Sequence, residues 1–223
     1  MAFAITGTVG EQQLSAGQSN NPIRQDKFGS TVVQESNGKY AEACRVGRLW
    51  TASIPAAGVA IPIYTSTTQQ CVFYNPISST NAMWLREIYV GYVSGTMVAG
   101  CFVYAVQTAQ ANAMSGTLTG SFYTNNKLTG AVSGAGVPNG TQALLYTAAT
   151  VTAFTFFRNM GYSQVAQTAA GTNAPWVQID DLDGSIILMP GAAIAVAANV
   201  AAAVTANVSF EYVEAPATLA VAP

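Results

Sequence analysis

The sequence contains no histidine and very little charge. Of its 223 residues only 8% are charged, with eight basic and ten acidic side chains and a net charge of −2, against roughly 25% charged in an average soluble domain. Without imidazole, a Ser-His-Asp triad and most zinc sites are excluded. Without a basic surface, the electrostatic footprint of nucleic-acid binding is missing. We therefore expect no nucleic-acid partner.

The shortage of charge also bears on how the chain stays in solution. Half of its residues are hydrophobic, whereas a free monomer of this size normally has a mixed-charge surface. The exterior must therefore consist of small polar residues, or be buried against other subunits, since obligate interfaces are depleted in charge. The composition favours a subunit of a large assembly over the alternative, a neutral, hydroxyl-rich extracellular β domain.

Cysteine is scarce as well. Cys44, Cys71 and Cys101 form no CxxC pair. Their odd number and wide spacing argue against a disulfide framework and against a metal cage, so small buried thiols are the expected role. We predict no cofactor.

Neither a secretory signal nor a membrane helix is expected. The first basic residue is Arg24, so the start of the chain lacks the basic and apolar regions of a signal peptide. We expect a protein of a cytoplasm or of a particle assembled there. Residues 88–106 carry no charge and have the length of a membrane span. However, Gly91, Gly95 and Gly100 interrupt them, and the turn signal at residues 94–96 predicts two buried strands instead.

The distribution of charge predicts three segments. Half of the charged residues lie within the first 48, and none lies between residues 49 and 85. Residues 1–48 are polar and rich in turn formers, which predicts an extended N-terminal arm. Residues 49–216 form the predicted β domain, and residues 217–223 form a short tail.

The β domain is predicted from short apolar runs separated by Gly, Pro and Asn. Residues 204–213 alternate most clearly, with Val204 to Tyr212 in steps of two on the buried face. No apolar stripe of helical period runs for three turns, and residues 192–206 read as a hairpin. Many short strands without helices predict a sandwich or barrel. The candidate strands are residues 49–53, 60–65, 70–75, 83–92, 97–107, 121–123, 144–150, 153–158, 176–179, 185–189, 193–198 and 204–213.

One acidic cluster is a candidate cation site. Asp180, Asp181 and Asp183 precede Gly184, and three carboxylates near a glycine turn can bind calcium. The spacing does not fit an EF-hand loop. Turn chemistry explains Asp and Gly there by local hydrogen bonding, so a solvated turn between two strands is the favoured interpretation.

No catalytic residue is predicted. Arg86 and Glu87 are adjacent, so strand alternation places them on opposite faces. Glu211 and Glu214 are three apart and also fall on opposite faces, which does not suit an acid/base pair. No nucleophile has a visible base. We therefore predict a protein that is not an enzyme, with a two-carboxylate glycosidase as the enzymatic alternative.

Four segments carry a resemblance to a known class. GRLWTAS, GVAIPIYTSTTQQCVFYNP, WLREIYVGYVSGTMVAGCFVYAVQ and the run from DGSIILMPGAAIAVAA to YVEAP resemble bacteriophage virion structural proteins of the single jelly-roll, tumour-necrosis-factor-like type. The resemblance covers roughly residues 46–216 and implies an all-β jelly-roll β-sandwich with an extended N-terminal arm. It implies a capsid cement or decoration protein on the virion surface, assembled in the host cytoplasm. A fibre, tail or receptor-binding module of the virion, and a cellular surface β protein, are the alternatives.

The resemblance also implies partners. The major capsid protein or other virion subunits would contact the arm, and no membrane partner is implied. The predicted contact residues are charged side chains of the arm, namely Arg24, Asp26, Lys27, Arg45 and Arg48.

A homotrimer is predicted on two grounds. Residues 88–93 and 101–106 are apolar or aromatic on both strand faces, which would leave patches larger than monomers tolerate unless a symmetry axis covers them. Tyr89 and Tyr104 are the predicted interface residues. The number three comes from the resemblance to trimeric jelly rolls.

Overall fold

A computed structural model describes residues 40–96, 100–107, 114–118, 122–128, 140–151, 154–163, 177–201 and 203–217. Most of the predicted arm, residues 1–39, and most of the predicted tail, residues 218–223, lie outside these ranges. A compact unit begins at Glu42. The predicted all-β class is confirmed, because strands dominate this unit.

Within the described residues the chain forms one short helix and fourteen strands. This helix, α1, is too short to cross a bilayer. The elements are α1 (Ala41–Arg45), β1 (Leu49–Ser53), β2 (Val59–Ala60), β3 (Thr68–Gln69), β4 (Val72–Tyr74), β5 (Asn81–Thr96), β6 (Gly100–Gln107), β7 (Gly116–Thr117), β8 (Phe122–Asn125), β9 (Leu144–Tyr146), β10 (Ala148–Thr150), β11 (Thr155–Ser163), β12 (Val177–Leu188), β13 (Ala193–Ala198) and β14 (Ala203–Pro216).

The strands form three antiparallel sheets. The front sheet has the order β12-β5-β14-β1-β8, with β2 also paired to β14. The middle sheet has the order β11-β6-β13-β4-β9, and the covering sheet has the order β3-β10-β7. Eight strands pair in a nested order across the first two sheets: β1 with β14, β4 with β13, β5 with β12, and β6 with β11.

The front and middle sheets enclose the main core. β14 alternates as predicted, with buried residues at every second position from Val204 to Glu214. Its Phe210 and Tyr212 meet Phe73 of the middle sheet, with ring centroids 5.1 Å and 4.7 Å apart. Aromatic pairs of this kind add about 0.5–1.5 kcal/mol each beyond their buried area. Aromatic packing therefore joins the two sheets near their centres.

The middle sheet is buried on its other face as well. Every residue of β13 is buried. Ile194 and Val196 face the main core, whereas Ala193, Ala195 and Ala197 belong to a second core. This second core also contains residues of β4, β6 and β9 together with side chains from the covering sheet and its flanks, among them Met114, Ala149, Val151 and Phe154. Alanine on this face leaves room for the covering layer to approach.

Two strand predictions are corrected by the sheet assignments. Residues 144–150 form two strands, not one, because the chain leaves the middle sheet after Tyr146 and enters the covering sheet at Ala148. Residues 192–206 form strands but no hairpin, since β13 lies in the middle sheet and β14 in the front sheet. Apolar runs in the sequence do not by themselves predict which sheet a strand joins.

The predicted turn at residues 94–96 is also wrong. β5 continues to Thr96 and stays paired with β14. Gly95 has a φ of +98°, and a β-carbon there would lie 2.0 Å from the carbonyl oxygen of Ala203. The glycine thus marks a close approach of two backbones inside the sheet. The local sequence at residues 94–96 does not distinguish such an approach from a turn.

Enlarging an alanine on the covered face of β13 tests the three-layer packing. We expect Ala195→Leu to lower the free energy of unfolding by about 1–3 kcal/mol, because added methylenes overpack a filled core. The matched control is Ala60→Leu in β2, where the side chain is exposed. Urea unfolding measures both variants. Equal stability of Ala195→Leu and the wild type would contradict a covering layer on this face.

Candidate functional site

The residues predicted to contact a partner fall into two groups. Arg24, Asp26 and Lys27 lie outside the described residues. Arg45 is in the last turn of α1, and Arg48 directly precedes β1. Both are exposed, so the described part carries two arginines on its surface where the chain enters the front sheet.

The aspartates considered as calcium ligands lie inside β12, not on a turn between two strands. Asp180 and Asp181 are paired with β5, and Asp183 lies on a bulge that follows them. The pairing of β12 with β5 continues across this region, with a register shift between Asp181 and Ile186. Asp183 and Gly184 have φ angles of 48° and 77°. A bulge accommodates extra residues with such angles while the strand continues, which explains why the composition of a turn occurs within a strand.

The three aspartate carboxylates do not converge. Asp180 accepts a hydrogen bond from Arg158 of β11 at 3.1 Å. Asp183 accepts one from Arg86 of β5 at 3.2 Å, and Asp181 is exposed on the outer face of the front sheet. Among the described residues no group of three acidic or cysteine side chains is arranged to hold a metal ion.

A polar cluster joins the front and middle sheets at the edge formed by β11 and β12. The Tyr104 hydroxyl donates to Asp180 at 2.8 Å, and Arg158 donates to the same carboxylate oxygen. The Arg158 guanidinium also lies 5.5 Å from the Tyr104 ring centroid. Gln178 of β12 donates to the carbonyl of Met160 in β11 at 2.7 Å. Burial and the neighbouring carboxylate raise the pKa of Tyr104, which keeps its hydroxyl a donor.

The assignment of Tyr104 to a subunit interface is wrong for this structure. Its side chain has 0% exposure and lies in the main core. Both faces of β6 are apolar because the covering layer of the same chain packs on the second face, so a second subunit is not needed there. Tyr89 is different. It is half-buried on the outer face of the front sheet and donates to Glu87, and its interface role stays a prediction.

A charged cluster on the outer face of the front sheet surrounds Arg86. Glu211 of β14 pairs with Glu87, but the next residue, Tyr212, pairs with Leu85, so that Arg86 is an extra residue in β5. Such a bulge re-aims a side chain. Arg86 and Glu87 therefore share the outer face, and the expectation from strict alternation that they face opposite sides is wrong.

The electrostatics of this cluster reflect crowding at a half-buried surface. Burial lowers the pKa of Arg86 in spite of its acidic neighbours. Burial, reinforced by repulsion from Glu87, raises the pKa of Glu211, although Arg86 and a hydrogen bond from Asn126 at 3.1 Å act in the opposite direction. The pKa of Tyr89 is raised first by its hydrogen bond to Glu87. Loss of water is thus the largest influence on Arg86 and Glu211.

Another carboxylate lies near the C-terminal end of β14, the central strand of the front sheet. Glu214 is buried and accepts hydrogen bonds from the Thr141 hydroxyl and from the backbone N–H of Gln142. The Thr141 and Tyr212 hydroxyls are 2.8 Å apart. A hydroxyl beside a carboxylate can act as nucleophile and base, but Thr141 and Glu214 are each 7% exposed. These bonds attach residues 141–142 to β14.

The edge formed by β11 and β12 also exposes large apolar side chains, with relative exposures between 48% and 67%. A register shift in β11 after Phe156 leaves Phe157 as an extra residue, so both rings are exposed. In the first four residues of β12, 177–180, the polar residues face inward and the apolar ones outward, whereas Leu182, Ile186 and Leu188 further along the strand are buried in the main core. Sequence reasoning missed this reversal because an alternating pattern is normally oriented with its apolar face inward. The exposed side chains are Phe156 and Phe157 of β11, and Val177 and Ile179 of β12. They do not share one face, because Ile179 pairs with Tyr89 on the outer face of the front sheet and the Phe156 ring lies against Tyr64.

Comparison with known protein families, characterised proteins and solved structures gave no significant match to this chain.

Removing the charge of Asp180 tests the polar cluster between the sheets. We expect Asp180→Asn to lower the free energy of unfolding by about 1–2 kcal/mol, because hydrogen bonds to a charged acceptor are stronger than neutral ones. Asp181→Asn is the control, since that neighbour is exposed on the outer face; we expect it to change stability by less than about 0.5 kcal/mol. Chemical denaturation compares the two, and equal losses would count against a specific role for Asp180.

The raised pKa of Glu211 predicts a pH-dependent effect of its removal. Since the pKa is higher in the folded than in the unfolded chain, protonation of Glu211 favours folding. This stability is present below the unfolded value, about 4.3, and is lost as pH rises through the folded pKa. Glu211→Gln resembles the protonated form, so we expect a higher Tm than wild type at neutral pH and no difference at about pH 3. A Tm below wild type at neutral pH would refute this assignment.

Proposed function

We propose that this chain is a non-enzymatic structural subunit of a bacteriophage virion. In this proposal it is a capsid cement or decoration protein, which binds the outside of the capsid and bridges neighbouring capsomers. Its partners are the major capsid protein or other virion subunits and further copies of itself, as a homotrimer. It needs no cofactor, membrane or nucleic acid.

The nested strand pairing carries this proposal. In a jelly roll, an antiparallel ribbon folds over so that the first strand pairs with the last, the second with the second last, and so on inward. The pairs β1–β14, β4–β13, β5–β12 and β6–β11 follow this order, with β8 and β9 added at the far edges of the two sheets. We therefore propose a jelly roll, an architecture common among viral capsid proteins and lectins.

The composition gives independent support. With 8% charged residues the chain cannot build the mixed-charge surface of a typical free monomer. Four of the charged residues that the structure describes form ion pairs with one another, Arg86 with Asp183 and Arg158 with Asp180. A surface of small polar and apolar groups suits a subunit that is permanently packed against other subunits.

Attachment to the capsid is assigned to an N-terminal arm, residues 1–48. This part of the proposal rests on the high charge density of that segment and on the resemblance to phage proteins. Arg45 and Arg48 are the members of the contact set that the structure describes, and both are exposed.

The number of copies per particle tests the proposed function. We expect quantitative mass spectrometry of purified virions that contain the chain to give hundreds of copies, because a cement protein occupies repeated capsid positions. A handful of copies would support a fibre, tail or receptor-binding module instead. Absence of the chain from purified particles, while infected cells contain it, would overturn the virion role and favour a cellular surface protein.

A further inference from the structure

We propose that the Asp183–Gly184 peptide is a site of spontaneous covalent modification, at which the aspartate isomerises to isoaspartate through a cyclic succinimide. Water from the solvent is the only reagent. The proposal goes beyond the proposed function and does not depend on a virion role.

The modification proceeds in two balanced steps. In the first, the backbone nitrogen of Gly184 forms a bond to the side-chain carboxyl carbon of Asp183, and the hydroxyl of that neutral carboxyl group leaves with the proton of the nitrogen as water. In the second, water adds to one carbonyl of the cyclic imide and breaks its bond to the nitrogen. Opening at the main-chain carbonyl leaves the chain connected through the side-chain carbon, so that mass and oxidation state are unchanged.

The residue that follows Asp183 selects this aspartate for the reaction. A glycine carries no side chain that hinders attack by its own nitrogen, whereas the other three aspartates of the chain precede lysine, aspartate and leucine. The sequence therefore provides one Asp-Gly step, and it lies inside β12.

The bulge in β12 gives this step a backbone freedom that a paired strand lacks. The ladder to β5 pairs Asp181 with Glu87 and resumes with Ile186 opposite Leu85, so residues 182–185 have no partner in that register. Asp183 and Gly184 have φ angles of 48° and 77°, and a positive φ is uncommon for a residue with a side chain. Ring closure therefore changes backbone angles here without breaking a pair of the β12–β5 ladder.

Solvent reaches the reacting groups, and one ion pair opposes the reaction. The Asp183 side chain is 45% exposed, which admits the water that opens the ring. Arg86 donates to the Asp183 carboxylate at 3.2 Å, and this contact is given up when the carboxyl group loses its hydroxyl to form the ring. The ion pair thus slows the reaction without shielding the group from water.

Isomerisation would remove that ion pair permanently. In isoaspartate the free carboxylate is attached directly to the α-carbon, so it reaches less far from the main chain than in aspartate. The Arg86 side chain is 5% exposed, and removing one partner of a buried charge pair is destabilising. We therefore expect modified molecules to unfold at a lower temperature than fresh ones.

Ageing of the folded, full-length protein at physiological temperature and mildly acidic pH tests the proposal. We expect peptide mass spectrometry with electron-transfer fragmentation, which distinguishes isoaspartate from aspartate, to show a progressive loss of aspartate at position 183 with no change in peptide mass. Asp181 is the internal control, because it is exposed on the same strand but precedes Leu182. Aspartate that persists equally at both positions would overturn the proposal.

A variant at the next position isolates the part played by the glycine. Asparagine tolerates a positive φ, and a β-carbon at position 184 would lie 3.7 Å from the Trp84 ring, an ordinary contact. We expect Gly184→Asn to fold like the wild type and to lose most of the isomerisation at Asp183, because the added side chain hinders the nitrogen. Deamidation of the introduced asparagine would change the peptide mass and is recorded separately. Isomerisation at the wild-type rate in this variant would contradict the proposal.

The same measurement on wild-type protein held in urea shows whether the native bulge permits the reaction. We expect isoaspartate at position 183 in both the folded and the unfolded protein. Its restriction to the unfolded protein would overturn the assignment to the native bulge, whether or not Gly184→Asn folds.

Discussion

Burial of the middle sheet on both faces is the constraint on which the rest of the structure depends. β13 directs Ile194 and Val196 toward the front sheet and its alanines toward the covering layer. A sheet buried on both sides requires strands that are apolar at nearly every position. This requirement accounts for part of the hydrophobic half of the composition.

Two groups of polar side chains form hydrogen bonds between separate elements of the fold. Tyr104, Asp180 and Arg158 bond across the edge at β11 and β12, and Glu214 near the end of β14 bonds to Thr141. A buried polar group is tolerated when its hydrogen bonds are made. Because these groups bond between elements, they also hold those elements to each other.

The covering layer bears on whether the apolar strand faces imply an oligomer. Apolar strand faces by themselves predict large exposed patches and so a tight oligomer. The chain covers one of those faces itself, on the middle sheet. That face therefore gives no reason to expect an oligomer.

Local patterns in the sequence determined the all-β class, the limits of β1 and β13, and the buried face of β14. They succeed because side-chain alternation and turn chemistry act over a few residues. Only the tertiary structure decided which sheet each strand joins, that β9 and β10 separate, that Ile179 faces outward, and that a bulge places Arg86 beside Glu87. These features depend on pairing between distant strands, and one extra residue in a strand reverses the faces that its pattern predicts.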